Sequence, residues 1–175
     1  GTMPDNLDHI VDSSASQLLA TGFVFTEGPL WHPGGYWLFV DIRRNLIHKL
    51  TSGGQAKVFR EDSGASSGLT FDAQGRLLMC EGDNRQISRI DHTGAVTPIA
   101  QRLNGKRINR PNDIVCHSNG SIYFSDPGGR LGPEERELDY SGIHCIAPDG
   151  TVAAATIETE YTNGLGFSPT KAFCT

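Results

Sequence analysis

The residues of this sequence whose types and spacing bear on chemistry are Glu27, Ser67, Asn112 and Asn163. They head four related segments, Glu27-Gly-Pro-Leu-Trp31, Ser67-Gly-Leu-Thr-Phe71, Asn112-Asp-Ile-Val-Cys116 and Asn163-Gly-Leu-Gly-Phe167, spaced by 40, 45 and 51 residues. If the fold brings the heads together, one carboxylate and several amide carbonyls form a set of hard oxygen donors. Such a set suits Ca²⁺ or Mg²⁺ and serves soft metals poorly. With so few charges among its ligands, a cation held this way would keep strong residual Lewis acidity. The same residues can equally cap strands and hydrogen-bond water, and spacing alone leaves the two readings level.

The elements that must position these heads repeat with them. After each of the first three segments comes a polar turn (Pro33-Gly34-Gly35, Asp72 to Gly75, Ser118-Asn119-Gly120), then a second apolar run: Trp37 to Val40, Leu77 to Cys80, Ile122 to Phe124. Each unit places an acid 14 positions after its head, at Asp41, Glu81 and Asp126. Short β-rich runs joined by glycine-containing turns predict hairpins. Two further short runs follow each hairpin: Leu46 to Leu50 with Lys57 to Arg60, Ile87 to Asp91 with Val96 to Ala100, and Ile143 to Ala147 with Val152 to Ile157. Four strands per unit at a period in the forties is the repeat of a β-propeller blade. The predicted class is therefore all-β, a β-propeller whose innermost strands line a central tunnel, so that equivalent heads form a ring. A β-sandwich with chance internal similarity is the competing architecture. Helix is confined to a turn or two within Asp8–Ala20.

This reading places a lead-in at 1–22, opening on Gly1-Thr2-Met3 as an expression scar, and a partial propeller over 23–175 with blades starting near 27, 67, 112 and 163. About three and a half blades are expected, where a closed propeller needs ~4–8. The expectation is an N-terminal fragment, or a half that closes by self-association or with a complementary half.

Composition removes other function classes. Twenty acidic against 15 basic residues, net −5, argue against a nucleic-acid partner, which requires a basic face. No apolar run approaches the ~20 residues of a helical membrane span, so no membrane partner is expected. The compartment stays open: a soluble chain, cytoplasmic or exported with its signal removed. The four cysteines form no Cys-x-x-Cys pair and read as small buried thiols rather than a zinc cluster. None of the six histidines shows metal spacing, and none is expected to be catalytic. Gly64-Ala65-Ser66-Ser67-Gly68 has the Gly-x-Ser-x-Gly spacing, but it leads into a β-run rather than from strand to helix, so serine-hydrolase chemistry is not supported. Gly128-Gly129-Arg130-Leu131-Gly132 lacks phosphate-loop spacing and reads as a flexible lid at the tunnel mouth.

Glu27-Gly-Pro-Leu-Trp, Phe39-Val-Asp-Ile, Asn109-Arg-Pro-Asn-Asp, Tyr123-Phe-Ser-Asp-Pro and Asn163-Gly-Leu-Gly-Phe-Ser-Pro occur in an order that resembles the gluconolactonase family, which includes regucalcin (senescence marker protein) and luciferin-regenerating enzyme. The resemblance runs from about Phe23 to Pro169. It implies a six-bladed propeller with a divalent metal in the tunnel, usually Ca²⁺, with Mg²⁺ or Zn²⁺ as other candidates, and hydrolysis of lactones. Carried over motif by motif, it implies Glu27 and Asn163 as metal ligands, Asn112 as a ligand or substrate contact, and Arg110 as a substrate-orienting residue. Ser67 stands where relatives carry Asn, a shorter arm that would reach the site only through water. The family's remaining aspartate ligand, expected as general base, would fall in a later blade beyond Thr175, so the catalytic residue itself is not identified.

The neighbouring residues carry two readings each. Asp41, Glu81 and Asp126 either accept hydrogen bonds from loop amides and stiffen their blades, or, for Asp126, steady Asn112 or Arg110. Asp113 is expected on the far side of its strand from the tunnel. Arg107 and Arg110 orient substrate or pair with surface acids. The function expected is metal-assisted hydrolysis of a small-molecule sugar lactone. The alternatives are phosphotriester hydrolysis on the same ring, or a non-catalytic propeller fragment acting as a binding module.

Overall fold

The computed structural model describes residues 16–158, 161–168 and 173–174. Three four-stranded antiparallel sheets follow one another along the chain. The first orders β1 (Thr26–His32), β2 (Tyr36–Asp41), β3 (Leu46–Thr51) and β4 (Lys57–Arg60); the second β5 (Ser66–Phe71), β6 (Leu77–Glu81), β7 (Gln86–Ile90) and β8 (Val96–Ala100). A two-stranded link, β9 (Arg102–Leu103) and β10 (Lys106–Arg107), leads to the third sheet: β11 (Ile114–Cys116), β12 (Ile122–Asp126), β13 (Ser141–Ile146) and β14 (Val152–Glu158). A fourth sheet opens with β15 (Gly166–Phe167) paired to β16 (Phe173–Cys174). The sheets are propeller blades, each a meander whose first strand is innermost, and β5 lies beside both β1 and β11.

Alternation along β6 explains how the blades stack. Leu77 and Met79 join Leu38, Val40, Ile47 and Leu69 in the core between blades 1 and 2. Leu78 and Cys80 point the other way, into the core between blades 2 and 3 with Ile108, Ile114 and Phe124. A strand covered on both faces reads as an unbroken apolar run rather than an alternating one. On blade 1 the face turned away from blade 2 leaves Trp31 and Trp37 partly exposed against each other, ring centroids 5.1 Å apart.

The strands follow the sequence pattern with instructive differences. β11 is regular only from Ile114, because Asn112 and Asp113 both face Ser125: Asn112 donates its N–H to the Ser125 carbonyl and Ser125 donates its N–H to the Asp113 carbonyl, each at 2.9 Å, while the Asp113 N–H donates to the Ser125 hydroxyl. The β9–β10 hairpin carries Asn104-Gly105, both at positive φ, the two-residue turn such hairpins favour. Of the helical turn allowed over Asp8–Ala20, 8–15 lie outside the described residues and 16–20 are irregular. Among the described residues no helix is long and apolar enough to cross a membrane.

The inner strands meet main chain to main chain. Gly28 holds φ +58°, and a Cβ there would overlap the carbonyl oxygen of Ser67 on the next blade. Gly68 repeats the relation one blade on: its N–H donates to the Asn112 carbonyl at 2.7 Å, which the Ser67 hydroxyl also reaches at 2.6 Å. The register is interrupted just there, between Glu27 and Leu30 and between Ser66 and Leu69, as bulges that re-aim the heads. Gly28→Ala is therefore expected to cost about 1–3 kcal/mol for the overlap on top of roughly 1 kcal/mol for the left-handed backbone. Gly75→Ala, also at positive φ but with open space around its Cβ, bears only the second cost. Thermal melts of the two variants that shift equally would refute the close approach.

Candidate functional site

The bulged inner strands turn the four repeat heads toward one place. Glu27, Ser67, Asn112 and Asn163 line a single cavity of about 250 Å³, together with Arg110, Pro111, Phe25, Pro127, Arg130 and Tyr161. Glu27 is the one carboxylate in that lining. The side chains of Glu27, Asn112 and Asn163 make no hydrogen bond to any described residue, so their oxygens are free to serve a guest. Ser67 differs: it is buried, and its hydroxyl already donates to the Asn112 carbonyl. Among the described residues no three His, Cys, Asp or Glu side chains converge as a metal cluster. The candidate donors are one carboxylate and amide carbonyls, a set that suits a hard cation.

Arg110 lies a quarter exposed at the cavity wall and donates from Nη2 to Asp83 Oδ1 at 2.6 Å. Arg107 does not line the cavity; its backbone N–H donates to Glu137 and its guanidinium reaches the Asn84 carbonyl at 3.5 Å. Asp113 turns away as well, accepting from its neighbour Ile114 and, at 2.7 Å, from the Leu165 N–H of the fourth repeat. Of the glycine-rich loop, Arg130 lines the rim, while Gly128 is tied by its N–H to the Ser141 hydroxyl at 3.1 Å. Sequence reasoning passed over Asp83 and Tyr161, which sit at no repeated position and carry no periodic signal.

The hairpin acids are buried braces. Asp41 accepts the N–H groups of Val24 and Phe25 at 2.9 and 3.0 Å, tying the lead-in to blade 1. Glu81 accepts from Asn84 and Gln86 side chains at 2.6 and 2.9 Å, with Arg60 at 3.4 Å. Asp126 accepts the Asn109 N–H at 2.7 Å and lies 3.2 Å from His144 Nε2, so it touches neither Arg110 nor Asn112 but the residue leading into them. Of the described thiols, none of them in a disulfide, Cys80 is buried and Cys116 and Cys145 are half-buried, and burial raises both Cys80 and Cys116. No described histidine lines the cavity.

Inner strands set side by side, with their four repeat heads lining one polar cavity, make this chain part of a β-propeller. It belongs to the SMP-30/gluconolactonase/LRE-like family, whose sequence model matches residues 25–174. A gluconolactonase of Zymomonas mobilis subsp. mobilis is 28% identical over 93% of this chain and 51% of its own length. The structure of a gluconolactonase from Xanthomonas campestris superposes with a TM-score of 0.81 at 29% identity, covering 87% of this chain and 54% of that one. A calcium-binding regucalcin from Agrobacterium tumefaciens shares the fold at TM-score 0.58 and 22% identity, covering 78% of this chain and 44% of its own. The chain thus spans about half the length of the relatives it matches.

Blade 1 carries a pH-dependent pair. Burial alone would raise the Asp41 carboxyl, but the Val24 and Phe25 amides, with Arg44 and His48, outweigh it and hold it below its ordinary 3.8. Burial pushes His48 below its ordinary 6.5 against the pull of Asp41. In both cases the unfolded chain binds more protons, so stability falls as pH drops, first below about 6.5 through His48 and again below about 3.8 through Asp41. Asp91 and Asp149, held low by turn hydrogen bonds, add to the second limb. His48→Phe, set between Phe23 and Phe39, is expected to flatten melting temperature between pH 7 and 5 while leaving the acid limb. An unchanged slope would remove His48 as its source.

Proposed function

We propose that the protein is a metal-dependent lactonase that hydrolyses sugar lactones at this cavity. The observation that carries the reading is the convergence of Glu27, Asn112 and Asn163, three oxygen-bearing side chains without hydrogen-bond partners among the described residues, beside Arg110. Gluconolactonase relatives at 28–29% identity support the substrate class, and the calcium-binding regucalcin of the same fold supports the cation.

Glu27 and Asn163 would hold a hard divalent cation, Ca²⁺ foremost, with Asn112 as a third ligand or a substrate contact. When bound, such a cation polarises an ester carbonyl and stabilises the oxyanion that forms as water attacks. The chain's own residues bind and orient the substrate. Arg110 supplies several donors in a fixed plane, suited to a ring oxygen, carbonyl or sugar hydroxyl. Phe25, Pro111 and Pro127 present apolar surface that limits water around the ring. Ser67 acts on the ligand ring indirectly, by fixing the Asn112 backbone.

The natural gene product should release acid from glucono-lactone in Ca²⁺, lose that activity to a chelator, and regain it when Ca²⁺ is restored. Glu27→Gln, which keeps the shape and removes the charge, should weaken Ca²⁺ binding by about tenfold or more, read as a lost Ca²⁺-dependent rise in melting temperature. Hydrolysis untouched by chelation would overturn the metal role. No acid release at all would overturn the lactonase reading.

A further inference from the structure

We infer that the β6–β7 turn of blade 2, Gly82 to Arg85, is the cradle that positions Arg110, and that Gly82, Asp83 and Arg85 set how well the cavity captures its substrate. The turn belongs to one blade and Arg110 to the approach of the next, yet the turn holds that arginine at both ends. At the side-chain end, Asp83 Oδ1 accepts Arg110 Nη2 at 2.6 Å. Gly82 lies beneath the same guanidinium: a Cβ there would stand 3.4 Å from Nη2 and 3.7 Å from Nε, in ordinary contact, so only a side chain reaching past Cβ would press Arg110 off the wall. At the main-chain end, Arg85 Nε donates to the carbonyls of Ile108 and Asn109, both at 2.9 Å, immediately before Arg110.

Arg85 is an unusual residue to spend on this. Its side chain is almost wholly buried, its backbone sits at φ +53°, and its guanidinium is bonded to main-chain carbonyls rather than to an acid. Its Nη1 donates to the Glu135 carbonyl at 2.9 Å, joining the Pro127–Tyr140 rim segment to the same anchor. A left-handed backbone at a non-glycine residue persists only where its surroundings enforce it, and here three carbonyls on two segments do so. The turn itself is pinned, since Asp83 donates its N–H to the Gly64 carbonyl at 3.0 Å and Asn84 donates to Glu81.

An arginine has many rotamers, and one fixed in advance loses less freedom when it binds a guest. The cradle therefore acts on capture of a polyhydroxylated cyclic ester rather than on the chemical step, a consequence that rests on the lactonase reading. Asp83, well exposed on its side chain, can be changed without disturbing a core.

Two measurements test this, and the first needs no activity. Phenylglyoxal labelling followed by peptide mass analysis should modify Arg110 about fivefold faster in Asp83→Asn, the ratio a partly exposed ion pair can supply, with rim-lining Arg130 as an unchanged internal reference. Equal Arg110 labelling in the variant overturns the cradle. In the natural gene product, Asp83→Asn should raise KM for the lactone about tenfold with kcat within about twofold, since binding rather than transition-state interaction is lost, and Asp83→Glu should recover part of it. A fall in kcat at unchanged KM overturns the assignment to capture. A wild-type protein inert toward lactones overturns the lactonase reading instead, and the labelling then decides the cradle alone.

Discussion

Contact between the main chains of neighbouring inner strands is the constraint from which the remaining geometry follows. The Asn112 carbonyl receives both the Ser67 hydroxyl and the Gly68 N–H, and Gly28 stands against the Ser67 carbonyl one blade earlier. Strands separated by side chains would stand wider, and the heads of the repeats would face an open channel. Brought this close, they line one cavity of about 250 Å³. Glycine at the second position of the first two repeats is thus a requirement of spacing between blades. In the third repeat that position is Asp113, and its carboxylate reaches the fourth repeat's Leu165 amide instead of leaving room for it.

Carboxylates serve opposite ends in this fold. Asp41 and Asp126 are sealed from solvent, Asp41 with both oxygens taken by backbone N–H groups and Asp126 with Oδ2 shared by the Asn109 N–H and His144, which makes them struts. Glu27 is only partly buried and is bonded to no described residue. What separates strut from candidate ligand is burial: Asp41 and Asp126 are closed off from any guest, whereas Glu27 faces the cavity.

Much of this was legible in the residues. The hairpins announced themselves because pattern and turn chemistry agreed, as in Leu69-Thr70-Phe71, the Asp72-to-Gly75 turn and Leu77 to Cys80. The placing of Glu27, Ser67, Asn112 and Asn163 in one cavity followed from repeat phase, because a propeller puts equivalent residues at equivalent radii. What escaped lacks a period. Asp83 and Arg85 matter through partners on another blade, and nothing along the chain marks a turn that reaches sideways. Asn104-Gly105 did carry a local signal, but its flanking strands of two residues each are too short to show alternation. The irregular start of β11, where Asn112 and Asp113 both bond to Ser125 and the Ser125 hydroxyl takes one N–H, is something propensity does not foresee.

The double burial of β6 has a consequence for how damage spreads. Its even and odd residues serve different seams, so the central strand of blade 2 has no tolerant side on which change can accumulate. A defect at Leu78 loosens the contact with blade 3, one at Met79 loosens the contact with blade 1, and either also disturbs the strand that the other seam relies on. The middle of the array therefore transmits injury in both directions, and the three blades are bound into a single cooperative unit through a segment only five residues long.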